Sequence, residues 1–332
     1  MIEHVLDLGN QLKKELETST DFVIDSYNDL LIVGMGGSGV AGDVLKLVLN
    51  ETSQINVEVR KSYGIPELIA NRRPKCLFIS YSGNTEETVE AVNDAIRYKL
   101  DWSVISSGGQ LLELAEEHKR PFVKVPSGLQ PRAAFGLMTK AVMHYVSSDI
   151  DRKYLKMCNQ AGDYLNKSLA NQSENKLLSQ ALQISKEIGS KTSVIYGGTP
   201  LTFLVAQRWK TQINENAKSK AFAGYMPEVH HNEILSWEAN KEGSKNNYQL
   251  LFLRSSKEDS QISKRFELTK EIIGNKVDIC EIKNIALENI ISNLFHLILI
   301  GDLVSVYMAE NLDIDPYDIT AIEKLKKLLK GK

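Results

Sequence analysis

Cysteine is scarce in this chain: Cys76, Cys158 and Cys280 are three residues far apart in sequence, with no CxxC pair. That excludes a disulfide framework and a cysteine-built zinc or redox centre, and it fits a reducing cytoplasm. An excess of one charge is missing too. Forty Lys and Arg stand against 42 Asp and Glu, a net charge of −2, so there is no basic field to attract nucleic acid or an anionic membrane. Long uninterrupted apolar runs are also absent. The richest, Ile290 to Ala309, contains His296 and Asp302, and the opening Met-Ile-Glu-His-Val has no cationic stretch ahead of an apolar one. Neither a membrane span nor a signal peptide is expected, and the expected location is the cytoplasm.

The 332 residues, 42% apolar and 25% charged, suffice for two ordinary globular domains. An apolar spacing at Ile2, Val5, Leu8, Leu12 and Leu16 predicts a docking helix over 2–17. Short β-rich runs then alternate with helical patterns. Strands are predicted at 30–35, 56–61, 76–82, 102–106 and 122–125, and helices at 39–50, 85–99, 109–119 and 132–147. The alternation predicts an α/β fold, a parallel sheet with helices on both faces. The polar run 149–153 and the helical region 154–190 are expected to cross between domains. The pattern then restarts. Ser193-Val-Ile-Tyr-Gly-Gly-Thr199 echoes Leu31-Ile-Val-Gly-Met-Gly-Gly-Ser38, and Leu251-Phe-Leu-Arg-Ser-Ser-Lys-Glu-Asp259 echoes Phe78-Ile-Ser-Tyr-Ser-Gly-Asn84. Two copies of one unit are implied, over 1–150 and 151–312, with a terminal helix in 313–332.

The chain is organised around Cys76-Leu-Phe-Ile-Ser-Tyr-Ser-Gly-Asn-Thr-Glu-Glu-Thr88. An apolar strand breaks into hydroxyls and a glycine before a helix resumes. Ser80, Ser82, Thr85 and Thr88 put four hydroxyls around one turn, and the new helix aims free N–H groups at the same space. This composition suits a phosphomonoester, which needs many donors around its oxygens. An ordinary N-cap explains one hydroxyl rather than four. The second copy has Arg254 in place of Ser80, no glycine in the turn, and Glu258 and Asp259 where an anion would sit. Its anion site is expected to be lost.

Gly34-Met-Gly-Gly-Ser-Gly39 also follows a strand and opens a helix, and it fits GxGxxG. A dinucleotide site wants an acidic residue at the end of the next strand. Here Glu58 is inside that strand and Arg60 and Lys61 end it, which leaves an NADP reading open. The neighbouring hydroxyl turn points instead to one small phosphorylated ligand facing both loops. Pro126-Ser-Gly-Leu-Gln-Pro-Arg-Ala-Ala134 brings Arg132 to a helix start, where a cation is not a capping choice; an anion is its expected target, with a surface salt bridge as the alternative. Glu215 sits between two asparagines after a helical stretch. In Met226-Pro-Glu-Val-His-His-Asn-Glu233 the adjacent His230 and His231 point in different directions in any regular backbone, which disfavours a metal clamp.

Together these motifs resemble the sugar isomerase (SIS) domain family, in the arrangement of archaeal-type bifunctional phosphoglucose/phosphomannose isomerases. The resemblance rests on Gly-Gly-Ser-Gly at 36–39, Ser-Tyr-Ser-Gly-Asn-Thr at 80–85, Pro-Arg-Ala-Ala at 131–134, Glu-Asn-Ala-Lys at 215–218, His-Asn-Glu at 231–233 and Ile-x-x-Leu-Lys at 322–326. It implies two SIS domains, each a flavodoxin-like three-layer sandwich, a homodimer, and neither metal nor cofactor. Gly37, Ser38, Ser80, Ser82 and Thr85 would bind the substrate phosphate. Glu215 would be the base and Arg132 would stabilise an enediolate, a contribution typically worth about 3–4 kcal/mol. His231 would open the sugar ring, reaching in from the partner subunit, with Lys326 assisting. Lys324 and Lys327 compete for that last place, and relatives' threonine seven positions earlier faces Ile319, so Thr320 would serve only with Lys327. The non-catalytic alternative is an SIS module that senses a sugar phosphate. It could dispense with Glu215 and His231.

Overall fold

A computed structural model describes residues 1–19, 28–147, 152–170, 175–238, 241–329 and 331. It divides into two compact units. The first comprises Leu6–Ala170 with Leu287–Phe295, and the second Met1–Val5, Asn171–Ala286 and His296–Lys332.

The first unit is built on a six-stranded sheet in the order Glu17–Thr18, Phe122–Lys124, Trp102–Ser106, Lys75–Ile79, Asp29–Gly34, Asn56–Arg60. All pairings are parallel except that of Glu17–Thr18 with Phe122–Lys124. The central strands carry continuous apolar runs because both faces are covered. On one face Leu31, Val33, Phe78, Trp102 and Val104 pack against Ala91, Val92 and Leu111 of helices Glu86–Arg97 and Gly109–Glu117. Helices Gly36–Thr52 and Phe135–Tyr145 pack together elsewhere in the unit.

The single helix expected over 2–17 is instead two short ones, Ile2–Leu6 and Leu8–Lys13, followed by the strand Glu17–Thr18. The periodic apolar residues continue to Leu16, but the open edge of Phe122–Lys124 offers unpaired backbone groups and captures the chain as an antiparallel strand. Helix Lys153–Leu169 packs against Leu8–Lys13 and Phe135–Tyr145, within the first unit. Gly9 and Gly162 make that approach possible: a Cβ on Gly162 would lie 2.6 Å from Gly9 O. Residues 149–151 of the expected crossing lie outside the described residues.

The second unit holds a wholly parallel four-stranded sheet ordered Asp278–Lys283, Tyr248–Arg254, Thr192–Gly197, Ala221–Tyr225. The same order, Trp102–Ser106, Lys75–Ile79, Asp29–Gly34, Asn56–Arg60, occurs in the first. The repetition seen in the sequence is therefore a repetition of topology. Helix Ile290–Asn311 is the one described helix long and apolar enough to cross a membrane, and 94% of its apolar window is buried in the protein. It is core. From His296 onward it belongs to the second unit, where the Trp209 indole donates to Leu297 O at 2.9 Å and packs on Gly301, where a Cβ would lie 2.0 Å from Trp209 Nε1.

Candidate active site

In the first unit, Ser80 follows strand Lys75–Ile79 and is buried. Its Oγ lies 2.8 Å from Thr85 Oγ1 and 3.4 Å from Ser82 Oγ, and it accepts from Gly83 N–H at 3.1 Å. Thr85 is the residue before helix Glu86–Arg97, yet its hydroxyl makes no capping bond. The ordinary side-chain N-cap reading therefore fails; Thr88 N–H donates to Thr85 O at 3.0 Å, and the Glu86 and Glu87 N–H groups ahead of it are the ones placed for an external anion. Gly83 turns the chain at φ +69°, and a Cβ there would fall 1.7 Å from Gly108 O. Thr88 differs from the expected fourth cradle hydroxyl: it is fully buried in the helix, and its Oγ1 has no hydrogen-bond partner among the described residues.

Helix Gly36–Thr52 likewise starts without a side-chain cap. Ser38 Oγ accepts from Tyr81 N–H at 3.1 Å, which joins the glycine-rich loop to the hydroxyl turn. The Tyr81 hydroxyl in turn donates to Pro126 O at 2.9 Å and accepts from Leu129 N–H at 3.0 Å, bringing in the third loop. A Cβ on Gly37 would lie 3.4 Å from Pro131 O and 3.8 Å from Arg132 Cα. Gly37, Ser38, Ser80, Ser82, Thr85 and the buried Arg132 thus occupy three neighbouring loops of one unit.

The dinucleotide alternative loses its groups in the same region. Glu58 accepts from Arg72 at 2.8 Å, Arg60 donates to Gly64 O and Tyr63 O, and Lys61 pairs with Asp43.

The equivalent loops of the second unit are closed. Thr199 and Thr202 form a reciprocal capping box at the start of helix Pro200–Asn216, and Asp259 caps helix Ser260–Ile273 through Gln261 N–H. Arg254 is surrounded by Glu258, Glu267 and Glu281. Burial would raise the Glu281 carboxyl, but hydrogen bonds from Lys270 and Lys283 and the Arg254 charge hold it down at about 2.

Glu215 is half-buried in the last turn of Pro200–Asn216. It borders a cavity of about 440 Å³ with Asn214, Lys218, Asp318, Thr320 and Ile322. The Lys218 ammonium donates to Glu215 O at 2.7 Å. Lys326 is exposed in helix Thr320–Leu329 and is not among the residues lining that cavity; it lies one turn beyond Ile322 on the same face. The Thr320 hydroxyl donates to the Asp318 carboxylate at 2.6 Å. Helix Pro200–Asn216 is anchored to Ile290–Asn311 by the buried Arg208–Asp302 pair and by Asn216 donating to Ser305 Oγ at 2.9 Å.

The two adjacent histidines occupy different environments. His230 contacts Arg265 and Thr269, and burial, then the Arg265 charge, lower its pKa. His231 is exposed and makes no hydrogen bond to the described residues. Glu233, from the same segment, accepts from Tyr196 at 3.1 Å.

The chain can be compared with known proteins on this geometry. Residues 178–329 match the bacterial phospho-glucose isomerase C-terminal SIS domain, and residues 24–101 match the SIS domain. A bifunctional phosphoglucose/phosphomannose isomerase from Thermoplasma volcanium is 33% identical over 95% of this chain and 96% of its own length. The chain belongs to the SIS-domain phosphoglucose/phosphomannose isomerase family. A second isomerase of that name, from Thermoplasma acidophilum, is 33% identical over 98% of both chains. Among solved structures, a hypothetical protein from Thermus thermophilus has the same fold, with a TM-score of 0.73 at 14% identity, covering 99% of this chain and 87% of its own.

Sequence reasoning gave no role to Tyr81, although its place inside the Ser-Tyr-Ser motif was a signal, and none to His230, whose partners Arg265 and Thr269 lie 35 and 39 residues on.

Proposed function

We propose that this chain is an aldose–ketose isomerase that interconverts glucose 6-phosphate and mannose 6-phosphate with fructose 6-phosphate through a cis-enediolate. The observation that carries the reading is the uncapped turn at Ser80–Thr85, joined through Ser38 and Tyr81 to the loop that holds Arg132. Neutral hydroxyls and helix N–H groups take the phosphate as a handle. Glu215 is the base that takes the C2 proton of the open aldose and returns it to C1. Arg132 meets the charge developing on the enediolate oxygens. Because C2 is planar in that intermediate, one site serves both aldoses.

His231 opens the ring and Lys326 assists. The protein acts as a cytoplasmic homodimer in which His231 serves the partner's site. In support, His231 is exposed, and Leu235, Leu268 and Ile272, of the segment that follows it and of helix Ser260–Ile273, are exposed apolar side chains of the kind a partner covers. The domain reading gives the phosphate site to residues 1–150 and a second SIS domain to 151–312, of which helix Lys153–Leu169 and Leu287–Phe295 group with the first compact unit, and a helix in 313–332 contributes Lys326. The sensing alternative needs neither Glu215 nor turnover, and the isomerase relatives at 33% identity favour the enzyme.

A coupled assay with both aldose phosphates tests this. Glu215→Gln keeps the side chain's shape and removes the base, so both activities should fall together by about 10²-fold or more, while fructose 6-phosphate still binds. EDTA should leave the rate unchanged. Loss of one activity alone, or turnover of the two aldoses without mutual competition, would reject the single-site reading.

A further inference from the structure

Gln11 lies in the short helix Leu8–Lys13, and its side chain is 3% exposed. Its Nε2 donates to Ala133 O at 3.0 Å, across 122 residues of chain. Its Oε1 accepts from Gly136 N–H at 3.0 Å and from Leu137 N–H at 3.4 Å. These two amides belong to the first turn of helix Phe135–Tyr145, where intrahelical acceptors are lacking. The residue before that helix, Ala134, has no side-chain acceptor to offer. A glutamine distant in sequence therefore does the work of a cap.

The same amide also holds the turn that precedes the helix. Ala133 is the residue after Arg132, so one side chain fixes the peptide beyond the arginine and the helix that starts two residues later. Gly136 permits the approach, because a Cβ there would lie 2.6 Å from Gln11 Cβ. On the other side, the glycine-rich loop faces the same turn, since a Cβ on Gly37 would stand at van der Waals distance from Pro131 O and Arg132 Cα. A neutral amide is the side chain that can donate to a carbonyl and accept from two N–H groups at once. A carboxylate would lose the donor, and an aliphatic side chain would leave three buried polar groups unpaired.

We infer that Gln11 is the positioning residue for Arg132. It clamps the 131–134 turn so that the guanidinium is in place before charge develops on the substrate, a preorganisation on which electrostatic stabilisation depends. The inference rests on the role proposed above for Arg132 and deepens it.

The test is a double-mutant cycle on the full chain with Gln11→Leu and Arg132→Ala, measured as kcat and KM for fructose 6-phosphate and as inhibition by inorganic phosphate. Gln11→Leu should lower kcat by about 10²-fold, the scale of a small misplacement of a catalytic group, while inorganic phosphate inhibits as in the wild type. In the Arg132→Ala background the same substitution should change kcat little. If Gln11→Leu lowers kcat by the same factor in both backgrounds, or weakens phosphate in step with kcat, Gln11 is merely structural and the inference fails while the role of Arg132 stands. If Arg132→Ala keeps full turnover, the role of Arg132 itself is wrong. Gln11→Glu retains the acceptor and loses the donor to Ala133 O. It supplies the same cycle if the leucine variant does not fold, with the same dependence on Arg132 expected and an equal loss in both backgrounds again overturning the inference.

Discussion

Arg265 donates from Nη1 to Nδ1 of His230 at 3.0 Å. The guanidinium always carries its proton, so Nδ1 is an acceptor and the ring is neutral, with its hydrogen on Nε2. Nε2 then donates to Thr269 Oγ1 at 2.8 Å, and that hydroxyl donates to Arg265 O at 2.6 Å. The chain of bonds ties the Glu228–His231 segment to helix Ser260–Ile273 and leaves His231 as the histidine open to an outside partner.

His231→Gln should therefore lower turnover of the cyclic sugar phosphates by about 10²-fold, within the range for a lost general acid or base. His230→Gln should cost less activity and more thermal stability, because it breaks a tether. The two variants compared by coupled assay and melting temperature settle the point; equal catalytic losses would contradict it.

Gly83→Ala should damage the phosphate site specifically. At φ +69° an L side chain costs about 1–2 kcal/mol, and the added Cβ would collide with Gly108 O. Isothermal titration should show inorganic phosphate binding weakened at least as much as stability, and unchanged affinity would argue that the turn does not hold the anion.

Fructose 6-phosphate should bind with one equivalent per chain. Thr199 with Thr202, Asp259, and the Arg254 cluster already satisfy the second unit's loops. A calorimetric stoichiometry of two would show that those loops open to substrate.

Acid should destabilise the protein well above the carboxylate range. Burial pushes the His296 pKa down to about 4 from 6.5, and His230 shifts in the same direction. Between those values the unfolded chain binds more protons than the folded one, so stability rises with pH there. The contribution is complete above about 6.5 and is lost as pH falls through about 4. For His296 it amounts to roughly 3 kcal/mol. Denaturant unfolding from pH 7 to 4 should show this loss, and a His296→Gln variant should lose less across the same window. A parallel pH profile would count against it.

The α/β class, the repeat of one unit and most strands could be read from local pattern. Buried parallel strands such as Leu30–Val33 and Leu77–Ile79 are continuous apolar runs, and helices between them carry apolar faces, so each element announces itself within a few residues. The hydroxyl turn was legible for the same reason: Ser80, Ser82, Gly83 and Thr85 are neighbours in sequence, and their hydrogen bonds span at most five residues.

What depended on distant parts of the chain was not legible. The edge strand Glu17–Thr18 exists because the sheet offered an unpaired neighbour 105 or more residues away. Thr88 has the right residue type but lies in the buried part of its helix, so composition overcounted the cradle. The His-Asn-Glu motif singled out His231 by resemblance alone; what physically distinguishes the two histidines, the contacts of His230 with Arg265 and Thr269, comes from another element. Gln11 was invisible as a cap because its acceptor and donor act on a helix more than 120 residues on. Sequence determined which chemistries the loops could carry, because residue type and short spacing suffice for that. Tertiary structure decided which of those groups are already engaged and which remain available, because hydrogen-bond satisfaction in a buried site is settled by whatever the fold brings alongside.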